Sequence, residues 1–297
     1  MYERGRAVES APQPGLRVHL DTRHAGVLLL SCVADKRFAD RWQSQISYTW
    51  SKSIDNASGT FGLDGSIGAG GEINPYDPRY SHGLSNFSRK HNFRASGIYE
   101  LPFRASGAAG KLVEGWSLTG IYSYLSGIAF SPGTAAGSLY SGSPVAAVGQ
   151  PDGVAGCRLY PDTQTLTNWF NPNCFTLPRS GTYGNAGRNS IIGPNLWVAD
   201  ASLMKDTRIR EGVTLQFRAE AFNILNHPSF QNPQNQIFSG FTYVPNGAPL
   251  PANVLASDCR EPIGAGQICA VRNGQAGVIN RTNSQPRQIQ LSLKIIF

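Results

Sequence analysis

The sequence predicts an all-β protein of antiparallel strands, on the basis of its composition, the alternation of its side chains and the spacing of its strands. The chain has 297 residues, of which 40% are apolar and 15% charged, with 33 glycines and 19 prolines. Typical soluble domains have about 25% charged residues. A helical bundle needs more Ala, Leu, Glu and Lys than this, so the composition favours many strands joined by loops rich in Gly and Pro.

Eight segments alternate apolar and polar side chains, most of them over about nine residues, which is the period of a strand with two unlike faces. In chain order they are residues 16–20, 28–36, 42–50, 93–101, 116–124, 197–205, 213–221 and 289–297. The first of them is the shortest and weakest. Segments of comparable length show no 3.6-residue repeat, so the periodicity predicts strands throughout.

The connections between these segments alternate in length from residue 28 onward. Residues 37–40, 102–115 and 208–212 form short connections, and residues 54–90, 127–196 and 226–286 form long ones. Sandwich loops come in mixed order, whereas an outer-membrane barrel has short periplasmic turns and long extracellular loops. Without a run of 18 apolar residues for a transmembrane helix, the sequence predicts an antiparallel transmembrane β-barrel segment of about seven or eight strands in the bacterial outer membrane.

Aromatic side chains mark both ends of the predicted membrane-spanning strands. Trp42 and Trp50 share one face and lie about 26 Å apart in an extended strand, and Trp116 and Tyr124 repeat this spacing. Together with Tyr48 they are candidates for the two aromatic girdles that face the lipid. A soluble, secreted β-sandwich for binding or adhesion remains the alternative, because its strands alternate in the same way.

The last predicted strand ends in an aromatic residue, after an alternating apolar series. The residues that share its apolar face are Ile289, Leu291, Leu293, Ile295 and Phe297. This pattern resembles the signal that the barrel-assembly machinery of the bacterial outer membrane reads, so we expect that machinery to be a partner. The first 14 residues lack the apolar core of a signal peptide, and we expect them to form an irregular N-terminal segment.

Four motifs carry a family resemblance when they are taken in this order. They are YTWSKSID at 48–55, NPYDPRYSHG at 74–83 with RKHNFR at 89–94 and YELPF at 99–103, GNAGRN at 184–189 before the Gly193–Pro194 pair, and LQFRAEAFNILNHP at 215–228. Together they resemble the C-terminal barrel region of Oar-like TonB-dependent outer-membrane receptors, which carry a carboxypeptidase-regulatory-like domain.

The resemblance implies a barrel of about 22 strands, a plug domain inside it, and energy coupling through TonB. The segments found here supply about one third of such a wall, so we expect residues 15–297 to be the C-terminal part of a larger barrel. TonB would act through a plug domain that this chain lacks. A small, self-closed barrel of about eight strands is the alternative, since small outer-membrane barrels have even strand numbers.

Five cysteines form two pairs that are close in sequence, with one left over. Cys157 with Cys174 and Cys259 with Cys269 are predicted to form disulfides, which suits an oxidising exterior. Cys32 lies within a predicted strand and is expected to be a small wall residue. The cysteines have no CxxC spacing, so a metal site is not predicted.

The remaining chemistry-bearing residues do not assemble into a recognisable active site. The sequence has no GxSxG elbow, HExxH motif or complete phosphate-binding loop, so we expect no catalytic residues, cofactor or metal. Its net charge of +7 comes from scattered residues, which argues against nucleic acid. The expected partners are outer-membrane lipid and an unknown small ligand. Trp169 and Phe170 are weak candidates for stacking on that ligand, the alternative being an apolar cluster that holds the loop together.

Overall fold

A computed structural model describes residues 16–21, 26–56, 58, 77–134, 150–178, 182–263 and 266–297. The predicted irregular segment 1–14 lies outside these residues. The strands are β1 (Leu16–Asp21), β2 (Val27–Ala39), β3 (Trp42–Asp55), β4 (Gly83–Leu84), β5 (His91–Glu100), β6 (Trp116–Leu125), β7 (Ala129–Phe130), β8 (Gly133–Thr134), β9 (Asp152–Gly153), β10 (Phe175–Thr176), β11 (Ile191–Ile192), β12 (Leu196–Arg210), β13 (Val213–Phe222), β14 (Gln236–Pro245), β15 (Cys259–Ile263), β16 (Gly266–Arg272) and β17 (Gln288–Ile296). Helix α1 spans Ala108–Val113, and short 3-10 helices span Pro78–Ser81, Pro172–Cys174 and Ala256–Asp258.

Eight strands form one antiparallel sheet in the order β1-β2-β3-β5-β6-β12-β13-β17, and the two-residue β4 is attached to β3. Each of these eight strands pairs with the next of the eight along the chain, so the sheet is a meander. All eight predicted strands are present, including the weak first one. Within the described part of the chain, β1 and β17 form the two edges of this sheet and the wall is not closed.

The register of the sheet aligns the apolar faces of neighbouring strands. Tyr48 pairs with Phe93, Phe93 with Tyr124, and Tyr124 with Trp197. Directly paired residues lie on the same face of a sheet, so four strands contribute one aromatic row near their loop ends. Trp50 lies two residues beyond Tyr48 on the same face, nearer the long loops, and pairs with Leu30.

The opposite ends of the same strands continue the apolar face. Trp42 pairs with Tyr99, Tyr99 with Leu118, and Leu118 with Leu203. Leu118 keeps 46% of its surface exposed, and Leu291 keeps 66%. A soluble sandwich would cover such residues with a second sheet, so their exposure contradicts the sandwich alternative.

The three short connections have different structures. Asp40 and Arg41 join β2 to β3 with φ angles of 52° and 71°, as a two-residue type I′ hairpin requires. Gly212, with a φ of 77°, occupies the corresponding position between β12 and β13. The connection from β5 to β6 contains the six-residue α1, which its sequence did not predict.

The two longest strands of the sheet extend the furthest beyond their predicted ends. β3 has 14 residues and reaches Asp55, and β12 has 15 residues and reaches Arg210. Both exceed the roughly 9–11 residues that a tilted strand needs to cross a bilayer, so part of each strand projects past the membrane. Of the helices in the described residues, none has the length and apolarity to cross a membrane.

Candidate functional site at the loop end of the sheet

The second and third long loops share an apolar core at one end of the sheet. Residues of the second loop, among them Phe130, Phe170 and Phe175, cluster with Ile237 and Phe238 of the third. The described residues of the three long loops (56, 58, 77–90, 126–134, 150–178, 182–195, 223–263 and 266–287) are together called the loop domain below. A four-stranded sheet, β15-β16-β14-β8, lies within it and also combines the second and third loops. The loop domain is therefore a folded unit with its own core.

Two disulfides lie within the loop domain. Cys157 is bonded to Cys174, 17 residues away, and Cys259 to Cys269, 10 residues away. The first disulfide lies within the second loop, and the second joins paired positions of β15 and β16. Cys32 is free and partly buried in β2. Each bond restricts one loop, so contacts between the loops must come from other groups.

Arg272 connects the third loop to the second. Its Nε lies 2.6 Å from Asp258 Oδ2 and its Nη2 lies 3.1 Å from Asp258 Oδ1, and Asp258 is fully buried. The same guanidinium donates to the Pro172 and Phe175 carbonyls at 3.0 and 2.9 Å. This bidentate pair satisfies a buried carboxylate and attaches β16 to the segment around Cys174.

Arg188 connects the second loop to the first loop and to the end of β3. Its side chain is 2% exposed and forms an ion pair with Asp55. It also donates to the Asp55 and Ser81 carbonyls, both at 2.8 Å. The neighbouring Asn189, at a φ of 53°, donates to the carbonyl of Leu84 and to the side chain of Asn86. All three long loops are thereby linked.

Two tyrosines are held neutral inside the loop domain. Burial, with Asp152 and Tyr183 nearby, raises the pKa of Tyr80, whose hydroxyl donates to the Gly184 carbonyl. Burial also raises the pKa of Tyr160, although its hydroxyl accepts a hydrogen bond from the Ile192 N–H at 2.8 Å. Both side chains therefore bind loop backbone as uncharged groups.

The two stacking candidates occupy the loop core. Phe170 is fully buried, edge-on to Phe130 and Phe175, so neither face of its ring is open to a ligand. Trp169 is partly buried against the same cluster, and its indole N–H donates to the Ile192 carbonyl at 2.9 Å. For Phe170 the stacking interpretation is wrong, because the apolar cluster that it joins is what holds the loop domain together.

A cavity opens where the loop domain meets the polar face of the sheet. Its volume is about 410 Å³, and its lining includes Leu196, Val198, Asp200, Phe222, Asn223 and Gln288. Asp200 accepts a hydrogen bond from the Asn223 N–H at 2.7 Å. The Asn223 side chain in turn binds the His227 and Gln285 carbonyls, which fixes the third loop over this end of β12. The cavity was not predicted, since its walls come from segments far apart in sequence.

The girdle candidates fall into two groups along the strands. Trp42 and Trp116 lie near the short-turn end, and Tyr48, Trp50 and Tyr124 lie near the loop end. The apolar residues of the last strand continue the same face, because Leu291 pairs with Ala219 and Leu293 with Phe217. Among the described residues, no group of His, Cys, Asp and Glu is arranged to hold a metal ion.

Comparison with known proteins supplies one match. A family model described as "Outer membrane beta barrel domain" matches residues 30–290. The chain has no significant match among curated proteins or among solved structures. The matched residues cover most of the chain, six of the eight main-sheet strands, the first residues of β17 and the loop domain, and the antiparallel meander is the architecture of such a wall. The chain therefore belongs to the family of outer-membrane β-barrel domains and is located in the bacterial outer membrane.

Proposed function

We propose that this chain forms the C-terminal part of the barrel of a TonB-dependent, Oar-like outer-membrane transporter or receptor. Its role is the uptake or binding of a small ligand at the cell surface, without catalysis. TonB acts on such a barrel through a plug domain, and the outer-membrane lipid surrounds its apolar face. The four motifs that resemble Oar-like receptors support this assignment, and all four lie within the matched residues.

The observation that carries the proposal is the open edge of the main sheet. All nine residues of β17 are exposed, and β17 and β1 are the two edges in the described part of the chain. Unpaired backbone groups cost several kcal/mol each in hydrocarbon, so both edges need partner strands in the membrane. A larger barrel supplies them on both sides.

The loop domain fits a receptor mouth. A folded unit with two disulfides and two buried ion pairs keeps its shape in the exterior medium. It covers the polar face at the cavity beside Asp200, which is the side that becomes the lumen of a barrel. We propose that a ligand first meets this unit before it passes into the lumen.

A small barrel closed by β1 and β17 is the second candidate. The even number of strands along the main sheet favours it. An eight-stranded barrel has an interior just wide enough for side chains, so it offers a surface receptor but no transport path. The two candidates therefore differ in size and in their dependence on TonB.

The test uses the natural protein, extracted in mild detergent from outer membranes of the bacterium that makes it. The periplasmic domain of TonB from the same bacterium serves as bait, and a porin from the same membranes is the control. Retention on TonB, together with a heat-modifiable barrel larger than this chain, is the expected result. A heat-modifiable barrel of this chain's own size that does not bind TonB would overturn the transporter proposal in favour of the small barrel.

The barrel-assembly machinery is proposed as a further partner, through the apolar face of β17. Its side chains Ile289, Leu291, Leu293 and Ile295 are 59–70% exposed, and Phe297 follows them. Phe297→Ser should lower the amount of protein in the outer membrane several-fold without affecting its synthesis, measured by fractionation and immunoblot. Lys294→Ser, on the other face, is the matched control.

A further inference from the structure

The short-turn end of the barrel combines exposed apolar residues with basic ones. Phe38, Phe103, Leu112 and Ile209 are 50–75% exposed. Each is directly adjacent in sequence to a basic residue, in the pairs Arg37–Phe38, Phe103–Arg104, Lys111–Leu112 and Arg208–Ile209. All three short connections contribute, so the pattern is a property of this end of the sheet and not of one turn.

The charge of this end is positive. Residues 37–41, 101–115 and 208–212 each contain two basic residues and one acidic residue. In the longest of the three connections, the carboxylate of Glu114 accepts a hydrogen bond from the Ala105 N–H at 3.1 Å. The Glu114 carboxylate is therefore hydrogen-bonded within its own connection, while the basic side chains of Arg104 and Lys111 are exposed.

The position of α1 relative to the lipid-facing surface is fixed by two hydrogen bonds. Trp116 and Lys205 are paired across β6 and β12, and both lie on the apolar face. The Trp116 indole N–H donates to the Leu112 carbonyl at 3.0 Å, and Lys205 Nζ donates to the Glu114 carbonyl at 2.5 Å. The end of α1 is therefore held against the face that hydrocarbon covers.

Gly115 shows how closely this connection approaches the sheet. Its φ is 78°, and a Cβ added there would lie 2.3 Å from the Asp206 carbonyl oxygen. Lys205 is itself 7% exposed, with its ammonium group 5.9 Å from the Trp116 ring centre. Lys205 Nζ also donates to the Asp206 carbonyl at 3.3 Å, so backbone carbonyls at the short-turn end bind its charge.

We propose that the three short connections form a surface that binds anionic phospholipid headgroups of the periplasmic leaflet. The apolar residues, Leu112 above all, enter the headgroup boundary, and Arg104 and Lys111 pair with lipid phosphates. The surface is continuous with the lipid-facing wall and has the complementary charge. A basic residue near an anionic surface contributes about 1 kcal/mol, or about fivefold in affinity.

The experiment measures lipid contact at Leu112 directly. The full chain carries Cys32→Ala and Leu112→Cys, labelled with an environment-sensitive fluorophore, in mixed phosphatidylglycerol and phosphatidylcholine vesicles. The spin-labelled quencher is placed on one lipid class at a time. We expect phosphatidylglycerol to quench about fivefold more effectively. A probe at Leu250→Cys in the loop domain, whose parent side chain is 36% exposed, should be quenched by neither lipid.

Charge removal separates headgroup binding from apolar contact. Arg104→Gln with Lys111→Gln should lower the preference for phosphatidylglycerol by at least about fivefold, while Arg158→Gln with Arg281→Gln in the loop domain should leave it unchanged. Equal quenching by both lipids before charge removal would overturn the proposal, as would a Leu112 probe that neither lipid quenches. The result is independent of TonB, so failure here would not count against the transporter.

Discussion

The main sheet and the loop domain are stabilised in opposite ways. Residues on the apolar face of the sheet remain exposed, as Leu118 and Leu291 do at 46% and 66%, and the strands are joined by backbone hydrogen bonds. The loop domain buries Phe170 and Phe238 almost completely and adds two disulfides. The sheet depends on lipid as its apolar surroundings, whereas the loop domain contains a core of its own. Changes in one region should therefore leave the other intact.

Removal of the Arg272 guanidinium should have the largest effect on the loop domain. Arg272→Met leaves Asp258, which is fully buried, without its counter-ion, and such a loss costs about 3–5 kcal/mol. Hydrogen exchange across 150–178 and 255–273 should accelerate strongly, while heat-modifiability of the barrel is unchanged.

Arg158→Met is the matched control for this change. Arg158 pairs with Asp162, but the two side chains are 69% and 84% exposed, so the pair contributes less than about 1 kcal/mol. If both variants altered loop exchange equally, the buried pair would not be what joins the second and third loops.

Truncation of Phe170 tests the apolar core of the loop domain. Phe170→Ala removes a fully buried ring and should lower the free energy of unfolding of the loop domain by about 3–5 kcal/mol. Limited proteolysis of the loops, followed by mass spectrometry, measures this. Phe87→Ala, at a side chain that is 65% exposed, should have little effect. Equal protease resistance in both variants would contradict the buried core.

A charge on the apolar face tests the sheet in the same manner. Ile46 lies midway between the Trp42 and Trp50 ends of β3 and is 43% exposed. Ile46→Arg should destabilise the membrane-inserted barrel by about 2–4 kcal/mol, measured by urea unfolding in phospholipid vesicles. Gln45→Arg, on the polar face, should cost much less. A larger effect at Gln45 would mean that the two faces are assigned the wrong way round.

Loss of the Cys157–Cys174 disulfide, which closes the longer of the two disulfide loops, should destabilise the loop domain less than loss of its apolar core. In the chain-entropy account a loop of this length contributes about 3 kcal/mol at most, so Cys157→Ala with Cys174→Ala should partly increase protease cleavage of 150–178. Cys32→Ala, at the free cysteine of β2, is the control. Cleavage that rises equally in both would show that the disulfide does not hold the loop.

The sheet could be predicted because its order is local. Alternation within one segment places Trp42 and Tyr48 on the same face, and strand order follows the chain, so neighbouring strands in sequence are neighbours in space. The further extension of β3 to Asp55 could not be predicted in this way. Its last two residues pair with β4 of the first long loop, and Arg188, which lies 133 residues away, donates to the Asp55 carbonyl.

The structure of the loop domain could not be predicted from a local pattern of this kind. Its core joins Phe130 and Phe170 to Phe238, which are separated by long stretches without a repeat. A Trp–Phe pair between two asparagines can face a ligand or a core equally well, and only the distant partners decide. The cysteine pairs are an exception, because they are close in sequence and the structure joins the same pairs that their spacing suggested.

The smallest expected effect is a gain in stability at the turn between β2 and β3. Arg41 has a φ of 71°, where a side chain costs about 1–2 kcal/mol and glycine does not. Arg41→Gly should therefore raise the free energy of unfolding of the sheet by about 1 kcal/mol, measured in the same urea assay, without altering loop exchange. Ala39→Gly, within β2, should instead lower it. If Arg41→Gly stabilised the loop domain as well, the two regions would unfold as one unit and their separation would be wrong.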